Sequence, residues 1–340
     1  MIRRRSAAPP RKTNRRWHIP PPLVHGSEAL EGGAVLEEAG GPLGVILWQA
    51  LRDVLLWLET APDERAEIFT AGAGGRWGRL VGAIGGAPPA LATLAKVVAQ
   101  PTQAGEAAVA GACHEVALWA ETQRMPRTAL AFQQNASLAA PKDASSALEV
   151  ARLAMQESDY ARAEVWLRRA IGLAREARDW RLYARAFARL GDLHRARGSA
   201  SGAHRFYVRS LRGARRGGMR REQAVALHRL FSLAREAGRT EEAERYGRLA
   251  FDGYGGRGAD PRLADLARDV GQLWLEQGRF AEARLALEAA LPFVQDPAER
   301  IRVQDELARA ASAAPEVGAE PGWAEELATT LRGLRVPGGG

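Results

Sequence analysis

Four stretches of the chain read alike: ESDYARAEVWLRRAI (residues 157–171), ARGSASGAHRFYVRSL (196–211), EAGRTEEAERYGRLAF (236–251) and EQGRFAEARLALEAAL (276–291). Each contains a small residue that recurs every 40 positions, namely Ser158, Gly198, Gly238 and Gly278. Self-similarity at a fixed period of this length is typical of solenoids, in which each unit buries its apolar face against the next one. The sequence therefore predicts an array of equivalent units.

Each unit has the pattern of two helices joined by a tight turn. The recurring Ser or Gly supplies the backbone freedom that such a turn needs. Small residues dominate further fixed positions, where a second helix must cross the first closely. Five residues after the turn stand Ala163, Ala203, Ala243 and Ala283; twelve after it stand Ala170, Ser210, Ala250 and Ala290; and seven before it stand Ala151, Gly191, Phe231 and Gly271. No alternating strand pattern is present, so the sequence predicts an all-α fold.

This layout resembles the tetratricopeptide-repeat (TPR) family. An earlier block, ALWAETQRMPRTALAFQQNASLAAP, fits the same motif, with Ala117, Ala129 and Ala136 at the small positions and Pro141 as the terminal proline. It leads the Ser158 block by 34 residues, whereas the later period of 40 is similar to the long-repeat variety of the family. The resemblance covers residues 105–335 and implies an α-α superhelix.

The rest of the chain divides by composition. We expect a disordered basic arm rich in Pro and Arg over residues 1–35, a small helical region over 36–104, and a flexible tail at 336–340. Within the array, 297–335 is interpreted as a divergent pair that caps the end. The glycine-rich segment Gly72–Gly78 lacks a phosphate-loop ending, so we expect it to be a flexible connection between helices.

Composition and charge exclude several classes of protein. The chain has 340 residues with one cysteine, so an intrachain disulfide and a cysteine-based zinc site are excluded. No apolar stretch looks like a secretory signal or a membrane span, and we expect a cytoplasmic protein that does not insert into membranes. The net charge is +8, but the seven basic residues that precede Glu28 supply +7 of it.

Candidate catalytic and metal-binding residues do not form a recognisable motif. His114–Glu115 begins like the zinc-binding motif HExxH, but Leu118 stands where the second histidine belongs. Cys113 and His114 are consecutive, so on a helix they point in different directions and cannot form a dyad. Cys113 is expected to be a buried structural thiol. We expect no enzyme activity, no metal site and no cofactor.

Arginines give the sharpest functional signal. In TPR-like arrays the first helix of each pair lines the concave groove, and by this resemblance the groove contains Arg152, Arg185, Arg195, Arg235 and Arg268. Guanidinium groups in a groove suit the carboxylates of an acidic peptide or a chain terminus. A second concentration lies between Asp192 and Glu222, where no acidic residue occurs. Its central members form a predicted basic patch of Arg205, Arg209, Arg212, Arg215 and Arg216. The alternative interpretation of both sets is an ordinary solvated helix surface in an arginine-rich chain.

Three functions remain open from the sequence. The first is a non-enzymatic protein–protein interaction module, an adaptor or regulator whose groove binds a protein or peptide partner. The groove arginines favour an acidic partner. The second is a regulator of transcription or signalling that responds to a peptide or small ligand. The third is nucleic-acid binding through the basic segments, which would weaken steeply with salt. The sequence leaves the oligomeric state and the partner open.

Overall fold

The computed structural model describes residues 28–69, 74–82, 84, 86–255, 260–312 and 322–334. Those residues form helices joined by turns, and no strand occurs among them. Five helices precede the array: α1 (Glu28–Ala39), α2 (Gly41–Glu59), α3 (Arg65–Ile68), α4 (Gly74–Val81) and α5 (Ala90–Ala99). The all-α prediction is confirmed over these residues.

The array consists of helices that alternate between a first and a second position in each pair. They are α6 (Glu106–Thr122), α7 (Pro126–Ala139), α8 (Ala144–Gln156), α9 (Tyr160–Glu176), α10 (Trp180–Ala196), α11 (Ala200–Arg216), α12 (Arg220–Glu236), α13 (Thr240–Tyr254), α14 (Arg262–Glu276), α15 (Phe280–Ala290), α16 (Pro297–Ser312) and α17 (Gly322–Arg332). Consecutive helices from α6 to α16 pack side by side. The expected TPR-like superhelical array of helix pairs is confirmed.

The structural period is 20 residues, half of what the sequence pattern indicates. Helices α9 to α12 each have 17 residues and begin at positions 160, 180, 200 and 220. A residue with positive φ stands in each turn from α8 to α13 and in the turn between α14 and α15: Ser158, Arg178, Gly198, Gly218, Gly238 and Gly278. The turns between pairs at Arg178 and Gly218 therefore share this feature with the turns within pairs. The sequence pattern did not predict the period of 20 residues, because an arginine, Arg178, occupies a turn conformation that usually selects glycine.

The helices of a pair cross closely where one of them lacks a side chain. A Cβ on Gly191 of α10 would collide with the ring of Tyr207 of α11. In the next pair the sizes are exchanged, because Phe231 of α12 packs over Gly247 of α13, and a Cβ there would lie 3.1 Å from the Phe231 ring. This exchange explains why Phe231 interrupts the series of small residues without pushing the pair apart.

The first helices of the pairs line the inner side of the array. Along the array, α8, α10, α12, α14 and α16 contact one another in turn, as expected for the helices on the inside of a curve. The positions predicted to be small fill the space between the two layers: Ala163, Ala203, Ala243 and Ala283 are fully buried. The concave surface is thus made of α8, α10, α12, α14 and α16.

The N-terminal helices share their core with the first pair of the array. One cluster of buried side chains runs from Val35 to Ala139 and joins α1, α2, α4 and α5 to α6 and α7. The carboxylate of Glu38 on α1 accepts hydrogen bonds from the backbone N–H groups of Arg127 and Thr128, at 2.9 and 2.7 Å. It thereby caps α7, whose own N-cap residue, Met125, makes no side-chain bond.

Two predictions for this region change. Helix α1 begins at Glu28, inside the segment assigned to the basic arm, and residues 1–27 lie outside the described part of the chain. The flexible connection predicted over Gly72–Gly78 is wrong for residues 74–78, which belong to α4. Trp77 explains this helix, because its buried indole donates to the Asp53 carboxylate at 2.9 Å and fixes α4 against α2.

By length and composition, α2 is apolar enough to cross a membrane. Its apolar face has a place within the protein, since Ile46, Leu47, Val54 and Trp57 belong to the N-terminal core. The absence of membrane insertion stays a prediction.

The C-terminal end departs from the predicted capping pair. Instead of adding a further pair with α16, α17 turns back onto α14 and α15, and it also touches α13. Trp323 packs edge-on against Trp274, with ring centroids 5.2 Å apart, and Glu326 pairs with Arg248 of α13 at 2.7 Å. The tail at 336–340 lies outside the described residues.

Candidate functional site

Ion pairs join successive first helices across the concave surface. We call this set the inner ladder. Its ion pairs are Arg152–Glu121 (2.7 Å), Arg195–Glu236 (2.7 Å), Arg229–Asp192 (2.8 Å), Arg235–Glu276 (3.3 Å) and Arg268–Glu299 (2.6 Å). A hydrogen bond between Nε2 of His228 and the Asp269 carboxylate (2.9 Å) joins α12 to α14 in the same way. Each pair connects one repeat to the next, so the concave arginines hold neighbouring repeats together.

The inner ladder accounts for four of the five arginines that were predicted to bind a partner. Arg152, Arg195, Arg235 and Arg268 each pair with a carboxylate of an adjacent repeat. A guanidinium that is already neutralised gains less from a further carboxylate than a free one does. Arg185 is the exception among the five, because it forms no ion pair or side-chain hydrogen bond within the described part of the chain.

Arg185 lies in a cavity of about 350 Å³ between α10, α12 and α14. We call this cavity the arginine cleft. Its floor is apolar and small, made of Ala184, Ala188 and Val225. Its walls carry guanidinium groups from three helices: Arg181, Arg185, Arg189, Arg221, Arg229 and Arg262.

Only some of these guanidinium groups are neutralised within the protein. Arg181 pairs with Glu222 at 3.1 Å, Arg229 pairs with Asp192, and Arg221 and Arg262 share Asp260. Two remain, since neither Arg185 nor Arg189 has a carboxylate within ion-pair distance among the described residues. They stand one helical turn apart on α10, so both guanidinium groups can reach the same anion.

Burial makes the charge on Arg189 costly. Desolvation lowers the pKa of Arg189; the carboxylates of Glu149 and Asp192 oppose this shift, and the guanidinium groups of Arg152 and Arg185 add to it. An anion in the arginine cleft would supply the missing counter-charge. The arrangement is therefore suited to binding a carboxylate or another anion, over an apolar floor.

Asp192 organises the wall of the arginine cleft. Its two carboxylate oxygens accept from Nε and Nη2 of Arg229, at 2.8 and 3.0 Å. The Tyr207 hydroxyl donates to the same carboxylate at 2.9 Å. Burial, with Asp192 adding to it, raises the pKa of Tyr207, so the phenol stays protonated and remains a donor.

A second cavity of about 520 Å³ continues the groove toward α16, and it shares Val225, Arg229 and Arg262 with the arginine cleft. Its far end is richer in acid, because Asp265, Asp269 and Glu299 surround the single guanidinium of Arg268. Burial raises the pKa of Asp265. Arg268 and His228 oppose this rise, and the neighbouring carboxylates of Asp269 and Glu299 add to it. The groove therefore runs from a cationic end at α10 to a more acidic end between α14 and α16.

Most residues of the arginine cleft were not predicted from the sequence. Arg181, Arg189, Arg221, Arg229 and Arg262 were not among the predicted groove residues. A signal was present, since Arg181, Arg185 and Arg189 recur every four residues and so share one face of α10. The contributions of Arg221 and Arg262 depend on how three helices meet, which repeat spacing does not show.

The predicted basic patch is placed on the outer side of the array. All five of its arginines belong to α11: Arg205, Arg209, Arg212, Arg215 and Arg216. Arg205, Arg212, Arg215 and Arg216 form no ion pair with a described residue, and each is exposed. The patch is thus separate from the arginine cleft, on the other side of the helix pair.

Cys113 is buried as predicted, and burial raises the pKa of its thiol. His114 is exposed and its Nδ1 lies 2.8 Å from Oε1 of Gln133, which identifies it as a surface residue tied to the next helix. Neither residue takes part in the arginine cleft.

Comparisons with known proteins give structural similarities only. No family model matches the chain, and no curated protein matches it. Among solved structures, BtubC (BKLC) from P. vanneervenii is similar at 18% identity and a TM-score of 0.42, over 68% of this chain and 94% of that one. NprR in complex with its cognate peptide NprX gives 12% identity and a TM-score of 0.46, over 85% of this chain and 73% of that one. PilF of Pseudomonas aeruginosa gives 17% identity and a TM-score of 0.42, over 73% of this chain and 100% of that one. Similarities at this level carry no statement about function.

Proposed function

We propose that the protein is a non-enzymatic interaction module that binds an acidic peptide segment of a partner protein in the arginine cleft. The observation that carries this proposal is the pair Arg185 and Arg189, which have no carboxylate partner among the described residues, on a concave surface where the neighbouring arginines are paired. A TPR-like array offers little other chemistry on its inner side, so the unpaired charges define the binding position.

The size and lining of the arginine cleft favour a peptide side chain or chain end. The cavity of about 350 Å³ is open to the longer groove, so a bound segment can continue past it. Each guanidinium presents several N–H donors in one plane and can bind a carboxylate with two hydrogen bonds. The apolar floor of Ala184, Ala188 and Val225 gives the aliphatic part of such a segment a surface to cover.

The charge gradient along the groove gives the partner a direction. An acidic residue or terminal carboxylate would sit over Arg185 and Arg189, and a basic or neutral residue would lie toward Asp265 and Glu299. Electrostatic complementarity of this kind contributes to specificity and to the association rate. We place the protein in the cytoplasm, consistent with its single buried cysteine.

A selection from a random peptide library tests this function. Peptides would be selected on the full chain and then tested on a double variant, Arg185→Gln with Arg189→Gln. We expect the enriched peptides to share an acidic residue or an acidic C-terminus and to lose affinity by about tenfold or more on the variant. A matched control, Arg284→Gln with Arg302→Gln, removes the same charge from exposed positions of α15 and α16. Enrichment of uncharged peptides, or equal losses on the two variants, would contradict the proposal.

A further inference from the structure

The outer face of α11 carries a row of arginines that the peptide-binding function does not use. Arg205, Arg209, Arg212 and Arg216 are spaced by four, three and four residues, which places them on one side of the helix. We call this row the α11 stripe. The opposite side of α11 carries the same spacing in buried residues, since Ala203, Tyr207, Ser210 and Ala214 face the core. The α11 stripe therefore points outward along the whole helix, over about 16 Å.

Unlike the arginines of the inner ladder, Arg205, Arg212 and Arg216 of the α11 stripe are not neutralised by any carboxylate that the structure describes. No acidic residue occurs in the sequence between Asp192 and Glu222. Arg205, Arg212 and Arg216 form no ion pair with a described residue, and neither does the flanking Arg215. Like charges in a row repel one another, so the array gains no stability from collecting them here.

Aromatic rings fix the orientation of several of these guanidinium groups. Arg205 lies over Phe206 at 5.0 Å, Arg209 lies over Phe187 at 5.7 Å, and Arg216 lies over Trp180 at 4.2 Å, measured to the ring centroids. The rings of Phe187 and Phe206 are themselves stacked, 6.1 Å apart. A guanidinium held against a ring loses less side-chain freedom when it binds an anion, and its N–H groups remain available at the edge.

The surface around the α11 stripe indicates which of two polyanions it fits better, an acidic protein or a nucleic acid. Protein interfaces usually depend on apolar or aromatic anchors that become buried. Among the described residues of α11, no large apolar side chain is exposed, and Phe187 and Phe206 are covered. A regular row of cations without an apolar anchor fits the evenly spaced phosphates of a nucleic-acid backbone better than it fits a protein surface.

We propose that the α11 stripe binds nucleic acid through the phosphate backbone, without sequence specificity. This site lies on the outer side of the array and is independent of the arginine cleft. A chain that used both surfaces would hold a partner protein on its inner side and a nucleic acid on its outer side.

The test measures binding of the full chain to a fluorescent 20-base-pair duplex of arbitrary sequence over a range of salt concentrations. The stripe variant is Arg205→Gln, Arg209→Gln, Arg212→Gln and Arg216→Gln. We expect it to bind about tenfold or more weakly at low salt, and the slope of log K against log salt to become shallower by about 3 to 4, as four phosphate contacts are lost. The control Arg284→Gln, Arg302→Gln, Arg309→Gln and Arg332→Gln removes the same charge elsewhere and should keep the wild-type slope.

Three outcomes would overturn the proposal. The wild-type chain could fail to bind the duplex, or the stripe and control variants could weaken binding equally, which would identify a net-charge effect. In the third outcome, poly-glutamate of equal charge binds the wild type as tightly as the duplex does, and only the stripe variant binds it more weakly. That result would assign the surface to an acidic protein.

Circular dichroism checks that each variant is folded. If the fourfold variant unfolds, Arg212→Gln with Arg215→Gln changes two arginines that contact no ring and should still flatten the slope by about 2. Peptide binding in the arginine cleft should be unchanged in every stripe variant.

Discussion

The inner ladder and the α11 stripe use the same residue type for opposite purposes. On the concave surface, arginines of one repeat meet carboxylates of the next, as Arg195 meets Glu236 and Arg235 meets Glu276. On the outer face of α11, arginines meet aromatic rings instead, and the nearest acids in sequence are Asp192 and Glu222. Counting arginines on a helix therefore does not identify a binding surface. What decides the role is whether the protein itself supplies the counter-charge.

The arginine cleft lies between these two cases. It is part of the concave surface, yet Arg185 and Arg189 lack the carboxylates that the inner ladder gives to their neighbours. No ion pair joins α8 to α10 among the described residues, so the inner ladder is interrupted at this point. If the counter-charge decides the role, substitution of a paired arginine or its acid should lower stability, and substitution of an unpaired arginine should not.

The largest effect is expected at Asp192, the best connected acid of the inner ladder. The substitution Asp192→Ala removes the acceptor of both Arg229 and Tyr207. We expect the free energy of unfolding to fall by about 2 kcal/mol, less than for a fully buried pair because both side chains of the ion pair are about 30% exposed. Chemical denaturation measures this. Arg215 is exposed and pairs with no carboxylate in the described segments, so Arg215→Ala should change stability by less than about 0.5 kcal/mol. Equal effects of the two substitutions would remove the distinction.

A pH-dependent effect is expected at His194, which packs beneath Phe206 with ring centroids 4.8 Å apart. Burial lowers the pKa of His194 from its ordinary value near 6.5; Glu164 opposes the shift, and Arg197, Arg168 and Arg205 favour it. The unfolded chain therefore takes up the proton first, and stability that is present above about pH 6.5 is lost as the pH falls through the lowered value. We expect the unfolding temperature of the wild type to fall relative to that of His194→Leu when the pH is lowered from 8 to about 5. A constant difference between the two proteins across this range would contradict a half-buried imidazole with a lowered pKa.

A smaller effect is expected for the exposed pair Arg195–Glu236. A double-mutant cycle with Arg195→Gln and Glu236→Gln should give a coupling free energy of about 0.5 kcal/mol at low salt, because both side chains are more than 40% exposed. The coupling should vanish at high salt, where exposed charges are screened. No coupling at low salt would mean that this rung of the inner ladder contributes nothing to stability.

The smallest effect has the opposite sign. Arg212 forms no ion pair or ring contact with the part of the chain that the structure describes, and it lies three and four residues from Arg209 and Arg216. We expect Arg212→Gln to raise the free energy of unfolding by about 0.3 kcal/mol at low salt, because one repulsive neighbour is removed. The gain should disappear at high salt. A loss of stability would show that Arg212 has a partner within the protein after all.

Repeat spacing predicted the fold because packing between helices depends on residues at fixed offsets. The turn residues and the buried alanines repeat every 40 positions, and those positions are where the structure needs small side chains. The small and large residues at the close crossing change places between pairs, from Gly191 with Tyr207 to Phe231 with Gly247. A pattern that considers each position alone does not predict this exchange, since two positions change together. The reversal of α17 was also beyond prediction, because it rests on contacts such as Trp323 with Trp274 that are distant in sequence.

The candidate site was harder to predict than the fold. The resemblance placed Arg185 correctly on the concave surface, but it treated Arg195, Arg235 and Arg268 as equivalent to it. Their acidic partners lie in the next repeat, 41 residues on for Arg195 and Arg235 and 31 for Arg268. A charge pattern along one helix does not show a neutralising partner on another. Comparing each arginine with the acids one repeat away would have separated the paired residues from the unpaired ones.

The most direct test compares unpaired with paired arginines on the same concave surface. Isothermal titration would measure the affinity of a library-selected acidic peptide for two double variants that remove equal charge. We predict that Arg185→Gln with Arg189→Gln weakens binding by about tenfold or more, whereas Arg195→Gln with Arg235→Gln changes it by less than about threefold. A larger loss on the second variant would contradict the account, because it would show that the paired arginines of the inner ladder are the ones that bind the partner.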